Sequence, residues 1–291
     1  MRLRPFDLIQ PATVAEAVDA LARVGEGARV VSGGTALVPM IRLGLLRPDP
    51  LITLHRVPGL ADVRVANGTL HLGAMVSMAD LSRSPIVRGR WKLLAEAAGR
   101  VATPAIRTSA TVGGNLAYAE AASDVAPALL CLEASVETAG SGGEHSVPIT
   151  SFFTGFYETA LEPGAIVTGV RVPACPESAA AGYVKFCPRS AEDKPLIGVA
   201  ALVDLDRGRC RDVRIALGGA APTPIRANRA EAVLRGEVLS DVTLGAAAAA
   251  AAGEADPLSD LMGSAQYRRE MVRVWTRRLL TTLRDGRRVT P

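Results

Sequence analysis

Residues 28–40 read ARVVSGGTALVPM, and residues 107–127 read RTSATVGGNLAYAEAASDVAP. Each stretch carries a glycine pair straight after a short β-branched run, and each pair leads into a small polar residue, Thr35 in the first and Asn115 in the second. Glycine lets the backbone turn sharply and leaves its N–H groups unobstructed, so such a loop can hold a phosphate without a basic side chain. Either pair alone is more often an ordinary tight turn than a ligand site. Two together can line up under one long phosphorylated ligand, with Asp124 placed to take ligand hydroxyls. Neither loop is a G-x-G-x-x-G fingerprint or a P-loop, so a dinucleotide bound here is not held in the Rossmann manner.

Working outward from the first loop, ATVAEAVDALARV puts Val14, Val18, Leu21 and Val24 on one face behind Thr13 as N-cap, which predicts a helix. ARVVSGG predicts a buried strand ending in a turn, Pro39 suits the first turn of a following helix, and LITLHRV predicts another strand. Residues 1–57 therefore form a β-α-β lobe. VRVANGTLHLGAM is a hairpin around Asn67-Gly68, a pair that tolerates the positive φ of a type I′ turn. Helices at SMADLSRSP and WKLLAEAAGRVA follow, and ASVETAGSGGEHSVPI gives a strand, loop and strand. This is a second α+β lobe over 58–173. Beyond Pro173 and Pro176, GYVKFCPR and IGVAALVDLDRGRCRDVRIALGG predict three strands with a turn at DLDRGRC, and Asp241 to Arg284 predicts helices. Residues 177–291 are the third lobe.

The chain has 291 residues, 48% hydrophobic and 21% charged, the balance of a globular protein long enough for two or three lobes. Its 33 Lys+Arg exceed 29 Asp+Glu by only four. The one basic cluster, YRREMVRVWTRRLL, has Met271, Val274, Trp275 and Leu279 at helical spacing, so its arginines form the wet face of an amphipathic helix. With 4% aromatics there is little on which to stack bases, which argues against nucleic-acid binding. No apolar stretch predicts a signal peptide or a membrane span, and the expected location is the cytoplasm. Cys131, Cys175, Cys187 and Cys210 include no C-x-x-C pair, and His55, His71 and His145 stand alone, so no metal site is expected from this chain. There is no G-x-S-x-G elbow and no H-E-x-x-H, which leaves a borrowed organic cofactor as the economical source of chemistry.

At this level of detail the chain resembles a known family. VVSGGTALVPMIRLGLLRPDPLITLHRVPGL, HLGAMVSMADL, IRTSATVGGNLAYAEAASDVAPALLCLEASV and FFTGFYETALEPGAIVTGVRVP are similar to the FAD-binding medium subunit of molybdenum hydroxylases. Carbon monoxide dehydrogenase, xanthine dehydrogenase and bacterial aldehyde dehydrogenases belong to that family. GYVKFCPRSAEDKPLIGVAAL, IALGGAAPTPIRANRAEAVLRG and SDLMGSAQYRREM resemble its flavoprotein C-terminal domain. The likeness covers almost the whole chain.

The resemblance implies an α+β fold: a two-lobed FAD-binding domain of the vanillyl-alcohol-oxidase (PCMH) type, followed by a C-terminal α+β flavoprotein domain. Its FAD residues, carried over, are Val31, Ser32, Gly33, Gly34, Thr35 and Ala36, then Ala102, then Thr111, Val112, Gly113, Gly114 and Asn115. Ser32 to Ala36 and Thr111 to Asn115 would hold the pyrophosphate, Asp124 the hydroxyl-bearing chain, Ile166 the isoalloxazine through its backbone, and Lys185 the ring's polar edge. The implied partners are a molybdopterin-binding large subunit and a [2Fe-2S] small subunit in a heterotrimer, with NAD, oxygen, a quinone or a carrier protein as external acceptor. Loop 189–195, RSAEDKP, follows Lys185 and is a candidate for controlling access to the flavin.

The chain departs from the family pattern in three places. The usual A-G-G-x-S-L is SGGTAL, the usual I-R-N is IRT with Thr108, and Ala121 stands where a proline is common. None of the three removes a backbone donor. They leave room for a free-standing FAD-dependent oxidoreductase acting on a small molecule, which would work without partners; the intact glycine loops argue against a non-catalytic assembly module, which would purify colourless.

Overall fold

The computed structural model describes residues 5–287. The first glycine loop sits on a small parallel sheet of β1 (Leu8–Ile9), β2 (Arg29–Val31) and β3 (Leu51–Thr53), in the order β1-β3-β2. The two-residue β1 is an element the sequence pattern did not announce. Helix α1 (Val14–Val24) is N-capped by Thr13, whose side chain accepts from the Glu16 N–H. It buries Ala17 and Val18 against Ile52. Helix α2 (Leu37–Arg42) follows the loop directly.

The second sheet runs β4-β5-β10-β6-β7, all antiparallel, from β4 (Val63–Ala66), β5 (Thr69–Gly73), β6 (Ser135–Gly140), β7 (Gly143–Pro148) and β10 (Ile166–Val172). A separate hairpin joins β8 (Phe153–Gly155) to β9 (Glu158–Thr159). Asn67 and Gly68 take φ of 50° and 74°, the positive values a type I′ turn needs. Packed with the sheet are α3 (Met78–Arg83), α4 (Pro85–Arg88), α5 (Lys92–Gly99), α6 (Pro104–Ser109), α7 (Val112–Tyr118), α8 (Val125–Cys131) and α9 (Ile149–Phe152). Ala139 and Ile166 join the first lobe's apolar cluster, so the first two sheets share a wall.

The third sheet, β11-β12-β13-β14, is an antiparallel meander of β11 (Ala180–Phe186), β12 (Ile197–Asp206), β13 (Arg209–Gly218) and β14 (Ile225–Arg226). The run IGVAALV in β12 is apolar throughout because both of its faces are covered. Ile197, Val199, Ala201 and Val203 pack toward α10 (Asn228–Leu234), α11 (Asp241–Glu254) and α12 (Ala265–Arg284), whereas Ala200 and Leu202 join the second lobe's core. The third lobe is thereby fixed onto α5 and α8. The stripe that α12 buries is Arg268, Val272, Thr276, Leu279, Leu280 and Leu283. Met271 and Trp275 are only partly buried, so the packed face is rotated from the predicted one. Arg268 is the reason: its guanidinium donates to the Leu196 carbonyl and pairs with Asp260, which brings a nominally wet position inside.

Candidate functional site

The first glycine loop leaves β2 at Val31 and enters α2 at Leu37. Gly34 sits at φ 69°, a left-handed conformation that strains any residue with a Cβ. Gly33 is needed for close approach instead: a Cβ there would stand 1.8 Å from the Ser109 carbonyl oxygen. Among the described residues, the N–H groups of Gly33, Gly34, Thr35 and Ala36 have no partner within the chain. All four residues line a cleft of about 660 Å³. A run of unpaired backbone donors at a cleft wall is what an anion requires.

The second glycine pair does not follow a strand. Residues 104–109 form α6, led by Pro104 and capped by Thr103, and Gly113 and Gly114 lie in the first turn of α7. The β-branched residues that suggest a strand are divided between two helices and their caps, because the Thr103 and Thr111 hydroxyls accept the N–H groups that a helix start exposes. The amides of this loop are already engaged. Val112 N–H donates to Val76 O at 2.9 Å, Gly113 N–H to Ala74 O at 2.8 Å, Gly114 N–H to Thr111 Oγ1 at 3.2 Å and Asn115 N–H to Thr111 O at 2.9 Å. Free backbone donors are therefore a property of the first loop, not of both. The second loop supplies proximity: a Cβ at Gly113 would lie 2.6 Å from Ala74 Cβ, and one at Gly114 2.7 Å from Ser32 Oγ.

The loops touch through their hydroxyls, Thr111 Oγ1 donating to Ser32 Oγ at 2.9 Å. Asn115 Oδ1 accepts from Ser123 Oγ at 2.7 Å, which fixes the amide plane and leaves its NH₂ without a partner among the described residues. Val31, Ser32, Gly33, Gly34, Thr35, Ala36, Thr111, Gly113, Gly114, Asn115 and Ile166 all line the cleft. Leu54, Met75, Leu161 and Val167 add apolar wall, and Tyr118 and Tyr157 supply its aromatic rings. Sequence reasoning missed Tyr157; its one signal is a bulky FY pair where a hairpin turn usually carries glycine or asparagine.

Four candidates lie off the cleft lining. Val112 points into the core at 1% exposure, and Ala102, at φ 38°, presents its carbonyl to Arg107. Asp124 and Lys185 are occupied with each other: Lys185 Nζ lies 3.2 Å from Asp124 Oδ2, with side chains 4% and 6% exposed. Tyr183 Oη donates to Asp124 Oδ1 at 2.8 Å, and Lys185 Nζ also donates to Arg100 O at 2.8 Å. Burial pushes the Asp124 carboxyl up to about 6, against the downward pull of Lys185 and Tyr183. This triad joins β11 to the start of α8 and to the 100–102 segment, a structural junction beside the cleft.

Two family models account for nearly the whole chain. The FAD binding domain in molybdopterin dehydrogenase matches residues 4–175, and the CO dehydrogenase flavoprotein C-terminal domain matches residues 182–283. The chain belongs to the FAD-binding flavoprotein family of molybdopterin dehydrogenases. The flavoprotein is 35% identical over 281 residues to the 6-hydroxypseudooxynicotine dehydrogenase complex subunit alpha of Paenarthrobacter nicotinovorans, covering 96% of this chain and 95% of that one. It is 34% identical over 275 residues to the carbon monoxide dehydrogenase medium chain of Hydrogenophaga pseudoflava, covering 94% and 96%. Among solved structures it superposes on a chain of carbon monoxide dehydrogenase from Hydrogenophaga pseudoflava with a TM-score of 0.94 at 35% identity, covering 97% and 98%. A chain of quinoline 2-oxidoreductase from Pseudomonas putida 86 gives 0.93 at 31% identity, covering 98% and 99%.

The protein is an oxidoreductase flavoprotein, and FAD is its cofactor. The cleft fits that cofactor. Its first loop carries unpaired amides for a pyrophosphate, its glycines let the two loops close on each other and on their neighbours to form the cradle, and its volume and mostly apolar wall suit a flat, partly charged ligand. The expected α+β architecture is present as well, with the FAD-binding domain followed by the flavoprotein C-terminal domain. Among the described residues no helix is long and apolar enough to cross a membrane.

Proposed function

We propose that this medium-chain flavoprotein works as the electron outlet of a multi-subunit molybdenum hydroxylase. A molybdopterin-binding large subunit oxidises the substrate, a [2Fe-2S] small subunit relays the electrons, and the present chain passes them through FAD to an external acceptor such as NAD, oxygen, a quinone or a carrier protein. The observation that carries this reading is the two-loop cleft in a chain that matches medium subunits of such complexes end to end. FAD, when bound, supplies the ability to accept and release electrons singly or in pairs.

The chain's own residues do the holding. Gly33 to Ala36 would offer amides and Ser32 its hydroxyl to the pyrophosphate, Thr111 and Asn115 would face it from the other loop, and Ile166 would lend its backbone to the ring. Val31 adds to the cleft wall, and Val112 supports the second loop from the core side. Asp124, Lys185 and Ala102 would act at one remove: Lys185, paired with Asp124, clamps the Arg100 carbonyl and so fixes the 100–102 segment. The three structural units, proposed as 1–57, 58–173 and 177–291, each contribute to this site or to its rim.

Loop 189–195 reaches the same region, since Lys194 pairs with Glu120 two residues beyond α7. Glu192 is exposed, and Asp193 faces Arg189 at 3.7 Å. Neutralising Glu192 and Asp193 is expected to change acceptor turnover severalfold while leaving FAD content unaltered; the reverse pattern would remove the loop from a gating role. The reading as a whole is tested by mixing the purified, flavin-loaded chain with its co-expressed complex partners. Reduction of the flavin by the complex's substrate only when the partners are present supports an electron outlet. Turnover of a small molecule by the isolated chain would favour a free-standing oxidoreductase instead.

A further inference from the structure

The cleft rim holds an arrangement that the loops do not account for. Tyr118, the last residue of α7, and Tyr157, in the turn between β8 and β9, both line the cleft, with ring centroids 5.1 Å apart and planes inclined at 57°. Tyr157 is held in place at some cost. It takes φ 60°, a conformation in which a bulky residue is strained, and strain of this kind persists where the surroundings enforce it. Those surroundings are visible: Tyr157 Oη donates to Glu120 Oε2 at 2.8 Å, the same oxygen pairs with Lys194, and Phe156 packs edge-on at 4.6 Å. Lys194 also stands over the Tyr118 ring, 5.8 Å from its centroid. Burial opposes the charge on Glu120, but Lys194, Tyr157 and the Ala122 N–H outweigh it and hold the carboxyl below its ordinary range.

Three segments from two lobes thus converge to fix two rings whose outer faces border the cleft. Tyr157 remains 40% exposed, so its ring is not simply a core residue. Seven residues of helix separate Thr111 from Tyr118, about 10 Å at 1.5 Å per residue. That is the reach of a heterocycle joined to a pyrophosphate through a ribose or ribityl chain.

We propose that Tyr157, locked by Glu120 and Lys194 and backed by the inclined ring of Tyr118, gives the cleft an aromatic platform on which one planar ring of the bound FAD stacks. The inference rests on the cleft being the FAD site and adds the residues that select a flat heterocycle at its end. Two heterocycles share this chemistry, isoalloxazine and adenine, and binding of half-ligands separates them.

The test titrates the flavin-stripped full chain with FAD, riboflavin 5′-phosphate and ADP by calorimetry, using wild type, Tyr157→Ala, Tyr157→Phe and Tyr118→Leu. Tyr157→Ala is expected to weaken FAD about tenfold, the scale on which aromatic–base stacking is lost by truncation. Tyr157→Phe keeps the ring and stays within about threefold of wild type. A loss shared with riboflavin 5′-phosphate but not ADP places isoalloxazine on the platform, and the opposite pattern places adenine there. Should Tyr157→Ala fail to fold by circular dichroism, Tyr118→Leu carries the same expectation with apolar volume retained. Wild-type affinity for FAD in the folded tyrosine-deleting variants overturns the platform alone. Failure of the wild type to take up FAD overturns the cofactor site together with it.

Discussion

Gly33→Ala is expected to lower FAD affinity by at least an order of magnitude and to yield protein with little bound flavin. The added methyl would meet the Ser109 carbonyl oxygen at 1.8 Å and the Ser109 carbonyl carbon at 2.6 Å. Both are backbone atoms at the end of α6, so relief requires one loop to move away from the other rather than a side chain to rotate. Overpacking of this kind commonly costs about 1–3 kcal/mol even in adaptable cores. Here the displacement falls on the segment whose unpaired amides make the anion site, and it pulls Ser32 from its bond with Thr111. The ratio of flavin absorbance to protein absorbance after purification, with affinity measured on the stripped protein, checks the expectation. Gly68→Ala, at a hairpin turn with nothing within 4 Å of the added Cβ, is the comparison. It is expected to affect stability through its φ of 74° but not FAD content.

The second large effect is expected from Lys185→Met. Removing one partner of a buried ion pair leaves an uncompensated charge, a change that typically costs about 3–5 kcal/mol. Asp124 would lose both its cation and a hydrogen bond, and the Arg100 carbonyl would lose its donor. Thermal unfolding is therefore expected at a clearly lower temperature, with much of the loss recovered in Lys185→Met/Asp124→Leu, where no charge is left stranded. If Lys185 also reaches the flavin electrostatically, the same variant lowers the flavin's reduction potential, because a nearby cation favours the reduced, anionic ring. An unchanged potential with reduced stability would make the pair purely structural.

The pair also has a pH signature. The folded chain holds a proton on Asp124 up to about 6, above the ordinary 3.8. This carboxyl's contribution to stability is thus full below about pH 4 and is lost as pH rises through 6. Asp124→Asn is expected to flatten stability across that interval.

Much of the site was legible in the sequence because glycine pairs have few uses at a loop between regular elements. SGGTAL lies between a strand and a helix as its pattern predicts, and eleven of the fifteen candidate residues line the cleft. The second loop was harder. VGGN after RTSAT carries the β-branched residues of a strand, but threonine hydroxyls at 103 and 111 cap helices, and local capping overrode strand propensity. The Val112 and Gly113 amides could not be assigned from sequence, since their partners Val76 and Ala74 lie more than thirty residues away along the chain.

The two charged candidates fell outside the cleft for a related reason. A lone Asp and a lone Lys sixty-one residues apart give no sign that they will meet across two lobes and bury each other. Alternation and turn chemistry foretold the hairpins at 63–73 and 197–218, whereas the two-residue β1 and β14 had too few residues to show a period. The aromatic rim was invisible because Tyr118, Glu120, Tyr157 and Lys194 come from three separate segments.

The proposed site has two glycine loops of this chain together holding one FAD. Acid release of the chromophore from the purified full-length chain, with its identity and molar ratio to protein determined, tests it most directly. FAD at close to one per chain is expected in the wild type, and a small fraction of that in Gly33→Ala. A colourless wild type that refuses added FAD, or a Gly33→Ala variant that retains full FAD, would contradict it.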